Sequence, residues 1–240
     1  MKIAIPIFDR ITALDAVGPY EVLSRLPGAT VHFVADEPGP KRTETGMLAL
    51  TADLALDELT DPDVVVVPGG YGTRALARDE HILGWLRSAH ETSLWTTSVC
   101  TGSLLLAAAG LLDGLEATTH WLALDTLAEY GAVPVERRVV AHPEARVITA
   151  AGVSSGIDMA LTLAAHIAGE EIAQAIQLGI EYDPEPPFNS GSTAKASPEI
   201  VELVRGRGRP LRLSGTELVP IRRAPRLAAP RAPADSPRAR

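Results

Sequence analysis

Four valines in a row, Val64 to Val67, constrain this chain more than any other stretch. β-branched side chains fit a pleated strand, and a strand apolar at every position has no face left for water. The run therefore predicts a central parallel strand, Asp63 to Val67, buried on both faces. It stops at Pro68-Gly69-Gly70-Tyr71-Gly72, a loop rich in backbone N–H groups. Around it, strands are expected at Lys2 to Phe8, Thr30 to Ala35, Glu116 to His120, Val135 to Ala141 and Arg146 to Ala150. Helices are expected at Ala16 to Leu26, Asp79 to His90, Trp121 to Tyr130, Ile157 to Ala168 and Glu170 to Gly179. Pro19 is tolerable only in the first turn of its helix. Thr43 to Leu54 reads as a hairpin-like excursion around Gly46. Strands alternating with helices specify an α/β fold: an open, mostly parallel sheet with helices on both faces.

The most chemically loaded stretch follows the helix at Asp79. Leu94 to Val99 is apolar and β-prone, and Leu104 to Ala109 favours helix. Between them, Ser98-Val99-Cys100-Thr101-Gly102 has the outline of a nucleophile elbow, with Cys in place of Ser. Small residues let strand and helix approach closely around the turn. Such a turn lifts the Cys100 side chain into the open and sets its thiol at a helix N-terminus, where a thiolate is favoured.

In an open α/β sheet, ligands bind beyond the carboxyl ends of the strands. Asp15, the loop Gly69 to Gly72, Cys100 and the small-residue turn around Ser154 all fall there. Cys100 is then the nucleophile, and Asp15 a proton donor or acceptor. Backbone N–H groups at Gly70, Tyr71 and Thr101 are receivers of developing negative charge. His120 is a further candidate, as a base or substrate contact oriented near Cys100. Each candidate has a plainer use as well: Asp15 as a helix N-cap, Thr101 as a first-turn hydroxyl bonded to backbone, and His120 as a packed or solvated side chain. Glu21 and Asp158 read as solvated or structural carboxylates.

Composition narrows the classes further. One cysteine excludes an intrachain disulfide and points to a reducing, cytoplasmic setting. The opening apolar run is too short for a signal peptide, and no stretch reaches the length of a membrane span. The six histidines form no ligand-spaced pair, so no metal is expected, and with neither a G-x-x-x-x-G-K-[ST] loop nor a G-x-G-x-x-G no nucleotide cofactor is indicated. Residues 205 to 240 carry ten Arg against Glu217 and Asp235, so the overall charge of −8 combines a +8 tail with a −16 body. An acidic body argues against nucleic acid as a partner. The Arg/Pro/Ala-rich tail reads as disordered, leaving residues 1 to 204 as one domain. Near its end, Glu181 to Ser192 reads as an ordered loop anchored by Tyr182 and Phe188. A short helix from Ser197 to Val204 follows, with Pro198 at its first position.

Five segments together resemble the ThiJ/PfpI superfamily, with its class I glutamine amidotransferase-like, flavodoxin-like fold. They are Leu14-Asp15-Ala16-Val17-Gly18-Pro19-Tyr20-Glu21-Val22-Leu23, Val67-Pro68-Gly69-Gly70-Tyr71-Gly72, Ser98 to Gly102, Ala117-Thr118-Thr119-His120-Trp121, and Ala151-Gly152-Val153-Ser154-Ser155-Gly156-Ile157-Asp158. The likeness covers about residues 1 to 204. Within the superfamily the chain is most similar to the isonitrile hydratase branch, which shares Leu-Asp-x-x-Gly-Pro-Tyr-Glu-Val-Leu and Tyr-Asp-Pro-x-Pro-Pro-Phe. That resemblance implies a homodimer and a cofactor-free hydro-lyase acting on a small isonitrile or related electrophile. It places Cys100 as nucleophile, Asp15 beside its sulfur and Thr101 as a third functional residue. Peptidase-like and glyoxalase-like branches put His after the cysteine, where this chain has Thr101. The sensor domain of AraC-type regulators is the competing likeness. It implies a ligand, redox or electrophile sensor, here without a DNA-binding domain.

Overall fold

The computed structural model describes residues 1–206. Beyond Gly206, the basic tail expected to be disordered lies outside the described residues. By its internal contacts the chain divides into Met1–Asn189 and a second unit from Ser190 onward.

The first unit is built on a seven-stranded sheet. Its elements in chain order are β1 (Lys2–Pro6), α1 (Ala13–Leu23), β2 (Thr30–Ala35), β3 (Gly39–Arg42), β4 (Ala49–Ala52), β5 (Leu54–Ala55), β6 (Val64–Val67), α2 (Thr73–Leu76), α3 (Glu80–Thr92), β7 (Trp95–Val99), α4 (Gly102–Ala108), β8 (Glu116–Ala117), α5 (Leu124–Glu129), β9 (Val133–Pro134), β10 (Val139–His142), β11 (Val147–Ala150), α6 (Ser155–Ala168) and α7 (Glu170–Gly179). The strand order is β10-β11-β7-β6-β1-β2-β5. Every pairing is parallel except β10 with β11.

The valine run is the centre, as expected. Val64 to Val67 are all fully buried, with β1 on one side and β7 on the other. Burying each valine in place of leaving it in water is worth about 1.5–3 kcal/mol. Helices α1 and α6 pack together, α6 also against α7, and α3 and α4 pack together with α4 over β6 and β7. The chain leaves β1 toward β2 on one side and returns through β6 toward β7 on the other, so the strand order reverses between β1 and β6. That reversal opens the crevice in which such sheets bind ligands.

Several boundaries differ from the sequence expectation: β10 begins at Val139 and not Val135, and α5 at Leu124 and not Trp121. Helix α1 starts at Ala13, three residues early, which puts Pro19 in the helix interior and not in its first turn. Its N-cap is Thr12, so Asp15 is not the cap. The excursion around Gly46 is an antiparallel hairpin of β3 and β4, its strands displaced from those expected and its tip formed by residues 43–48. Strand β8 is only two residues long and pairs with β9 in a separate two-stranded sheet, since Thr118 to His120 turn aside to other partners. Phe188, expected as an anchor, is 80% exposed, whereas Tyr182 does donate a hydrogen bond to Asp158, at 3.2 Å. In the second unit α8 (Pro198–Arg205) follows Ser197, with Pro198 at its start.

Candidate active site

Three loops meet in the crevice at the carboxyl ends of β1, β6 and β7. The loop after β1 is fastened to the glycine loop: Ile11 bridges Gly70, and Thr12 N–H donates to the Gly69 carbonyl at 2.9 Å. This brings the first turn of α1 over β6. Asp15, fully buried, then accepts a hydrogen bond from Gly69 N–H on Oδ2 at 3.0 Å. Only glycine fits at 69. A Cβ there would stand 2.5 Å from the Thr101 nitrogen, 2.8 Å from Thr101 Oγ1 and 3.0 Å from Asp15 Oδ2.

The elbow after β7 has the left-handed backbone its outline requires. Cys100 has φ +56°, a conformation that costs a non-glycine residue on the order of 1 kcal/mol. The strain is held from both ends. Cys100 N–H donates to the carbonyls of Ala150 and Ala151 at 3.0 and 2.9 Å. Its carbonyl accepts from Ser103 Oγ at 3.0 Å and from Thr119 Oγ1 at 2.9 Å. The side chain is not lifted into the open, however: Cys100 is only 5% exposed. Its thiol lies beside the Asp15 carboxyl.

These surroundings set the protons. Burial pushes the Asp15 carboxyl up to about 7; Gly69 N–H and the Cys100 thiol oppose the rise, and the charge of Glu44 adds to it. Asp15 Oδ1 is buried and has no hydrogen-bond partner, a position better suited to a neutral carboxyl than to a carboxylate. Burial, and after it the charge of Asp15, push the Cys100 thiol well above the ordinary thiol range. The elbow therefore does not by itself favour a thiolate: desolvation outweighs the backbone N–H groups of Thr101 and Val153 that face the sulfur. The two side chains titrate as one unit, and above about pH 7 the pair holds one proton between a carboxylate and a thiol.

The donors at the sulfur are not all those expected. Gly70 N–H is directed to Thr101 Oγ1 at 2.9 Å, and Gly69 N–H to Asp15, so neither is left for an anion at Cys100. Thr101 Oγ1 in turn lies 3.2 Å from the Gly70 carbonyl and donates to it, which locks the elbow to the glycine loop. Tyr71 is 53% exposed, with the guanidinium groups of Arg10 and Arg74 over its ring at 5.6 and 5.0 Å. Val153, absent from the sequence-based set, supplies the second N–H through a positive φ of +38°.

His120 packs on the loop that carries Val153. A Cβ on Gly152 would meet its Cδ2 at 2.7 Å, so the missing side chain makes room for the imidazole. Burial lowers its pKa, and Nδ1 accepts from Leu122 N–H at 3.3 Å, which leaves the proton of the neutral ring on Nε2. In that tautomer His120 is a donor, not a base. Ser154 Oγ accepts from Arg138 at 3.3 Å. Asp158 is paired with the same arginine, whose Nε donates to Oδ2 at 2.6 Å. Glu21 pairs with Arg25 at the surface. Among the described residues, no group of three or more His, Cys, Asp or Glu is placed to hold a metal ion, and no helix is long and apolar enough to cross a membrane.

A strained cysteine elbow facing a buried carboxylate at the reversal of an open α/β sheet defines a class, and comparison with known proteins gives it a family. The chain belongs to the DJ-1/PfpI family, whose model matches residues 1–166. It is 42% identical to isonitrile hydratase of Pseudomonas putida over 218 residues, 91% of this chain and 94% of that protein. It is 32% identical to the HTH-type transcriptional regulator CdhR of Pseudomonas aeruginosa, over 70% of this chain and 50% of the regulator. A THiJ/PfpI family protein from Pseudomonas syringae superposes with a TM-score of 0.80 at 38% identity, covering 85% of this chain and 86% of that one.

Proposed function

We propose that this chain is a cofactor-free isonitrile hydratase that adds water to an isonitrile to give an N-substituted formamide. The observation that carries the reading is the buried Asp15–Cys100 pair, one oxygen of which lacks any partner. The 42% identity to a hydratase over nearly the whole of both chains supports it.

The reactive form holds one proton on the pair. As the sulfur attacks the isonitrile carbon, the thiol proton passes through Asp15 to that same carbon, forming the C–S and C–H bonds of a thioimidate and leaving Asp15 ionised. Asp15 then takes a proton from water as the oxygen adds, and gives it to the nitrogen. Collapse to the formamide breaks the C–S bond and returns the hydroxyl proton to the pair, so atoms and charge balance without a metal or redox partner. Thr101 and Val153 N–H groups face the sulfur where negative charge comes and goes. Gly69, Gly70 and Tyr71 are assigned as substrate walls, and neutral His120, packed on the Gly152 loop, as a further donor through Nε2–H. Ser154 belongs to the rim.

A panel of small isonitriles, with formamide quantified for the wild type and Cys100→Ala, tests this. The expected loss in the variant is at least about 10³-fold; equal turnover by both sinks the reading. The likeness to CdhR supports a second reading, a sensor that traps an electrophile on Cys100 without turnover. Stoichiometric modification of Cys100 with no released formamide would favour it. Both readings carry the expectation of a homodimer in the cytoplasm, which light scattering checks for the assembly.

A further inference from the structure

The hairpin of β3 and β4 reaches the site from outside the main sheet. Ile11 bridges Thr43, and Glu44 N–H donates to the Ile11 carbonyl at 3.1 Å. Thr12, the N-cap of α1 three residues before Asp15, directs its hydroxyl to Glu44 Oε2 at 3.3 Å and not to its own helix. The tip is closed by Thr43 N–H and Oγ1 on the Leu48 carbonyl at 2.9 and 3.1 Å. A carboxylate is thus fixed at the mouth of the helix that carries the buried acid.

The other charges around Asp15 are engaged elsewhere. Arg10 lies over Tyr71, Arg42 donates to the Gly46 carbonyl, and Asp9 accepts from Arg42 N–H. On α1 itself Glu21 is paired with Arg25, and on α6, packed against it, Asp158 is paired with Arg138 and bonded by Tyr182. The glycine loop and the elbow bring N–H groups and the Cys100 thiol but no full charge.

We propose that Glu44 is a positioning residue for the Asp15–Cys100 pair: its carboxylate, held at the start of α1 by Thr12, repels negative charge on Asp15 and so sets the pH at which the site becomes reactive. The direction of its influence on Asp15 agrees. The inference uses the hydratase reading only for the activity arm of its test.

That test follows the pH dependence of Cys100 alkylation by iodoacetamide in the full chain, for wild type, Glu44→Gln and Glu44→Lys, at low and high salt. Iodoacetamide reacts with the thiolate, so the rate climbs with pH and its profile bends where Asp15, the first of the pair to lose a proton, ionises. Glu44→Gln keeps a group able to meet Thr12 and removes only the charge. Its midpoint, read as the bend of the full rate profile between about pH 5 and pH 9, moves down by about half a pH unit. Glu44→Lys moves further the same way, and salt narrows the gap between wild type and variant. A midpoint unmoved in both variants overturns the proposal, as does an acceleration or slowing equal at all pH. For isonitrile hydration, kcat/KM shifts in parallel. A shifted alkylation midpoint with no turnover in the wild type would remove the hydratase reading and leave the role of Glu44 standing.

Discussion

Two aspartates stand in the first turns of two helices that pack on each other, and they meet opposite fates. Asp158, on α6, keeps 33% of its side chain in solvent and is matched by Arg138, with Tyr182 donating to the same oxygen. Its charge is compensated, and the cluster pins the β10 approach, α6 and the Tyr182 segment together. Asp15, on α1, is fully buried, receives one backbone N–H and has no cation beside it among the described residues. What it faces is a thiol and, from outside, a second carboxylate. The difference is what separates a fastening from a reactive group: a compensated charge lowers the folded state's energy, whereas an uncompensated one is kept ready to exchange a proton.

The largest effect that would break this contrast is Asp15→Asn. Turnover should fall about 10²- to 10⁴-fold, the usual contribution of a positioned acid–base group. Stability should move the other way. The wild-type carboxyl stays protonated in the folded protein up to about 7, against 3.8 for the free group, so the folded state binds the extra proton between those values. That contribution is full below pH 3.8 and is lost as pH rises through about 7. A neutral asparagine never loses it, so the variant should be more stable than wild type by about 4 kcal/mol above pH 8 and by nearly nothing at about pH 4. Thermal melts at the two pH values decide it, and a variant less stable at alkaline pH would break the account.

Next in size, Gly69→Ala drives a Cβ into Thr101 and Asp15. It should cost about 1–3 kcal/mol by denaturant titration and lower kcat/KM by about tenfold or more, because the same loop places both groups. The smallest effect belongs to the compensated partner. Asp158→Asn should change stability by no more than about 1 kcal/mol, since the pair is partly solvated, and leave kcat/KM within about twofold. A loss as deep as that of Asp15→Asn would place Asp158 in the chemistry and erase the distinction.

Most of the frame was legible along the chain. The valine run, the glycine loop and the cysteine elbow are local patterns, and each sits where its pattern placed it. The limits of α1 were not legible, because Pro19 argued for a later start while tertiary contacts through Thr12 and Gly69 extended the helix forward. Val153 was invisible for a different reason. A β-branched residue gives no hint of a positive φ, and its N–H matters only because the turn after β11 lies against the elbow.

The sequence by itself determined the order of strands and helices, the strand-end loops and the residue types available there, since apolar periodicity and small-residue turns act over a few neighbours. Only the tertiary structure decided which N–H groups are already occupied, that Cys100 is buried instead of raised into solvent, and that, among the described residues, Asp15 is left without a cation while Asp158 has one. Desolvation and charge pairing depend on which groups meet in space. Here they join Asp15 to positions 54 and 85 residues away, Gly69 and Cys100.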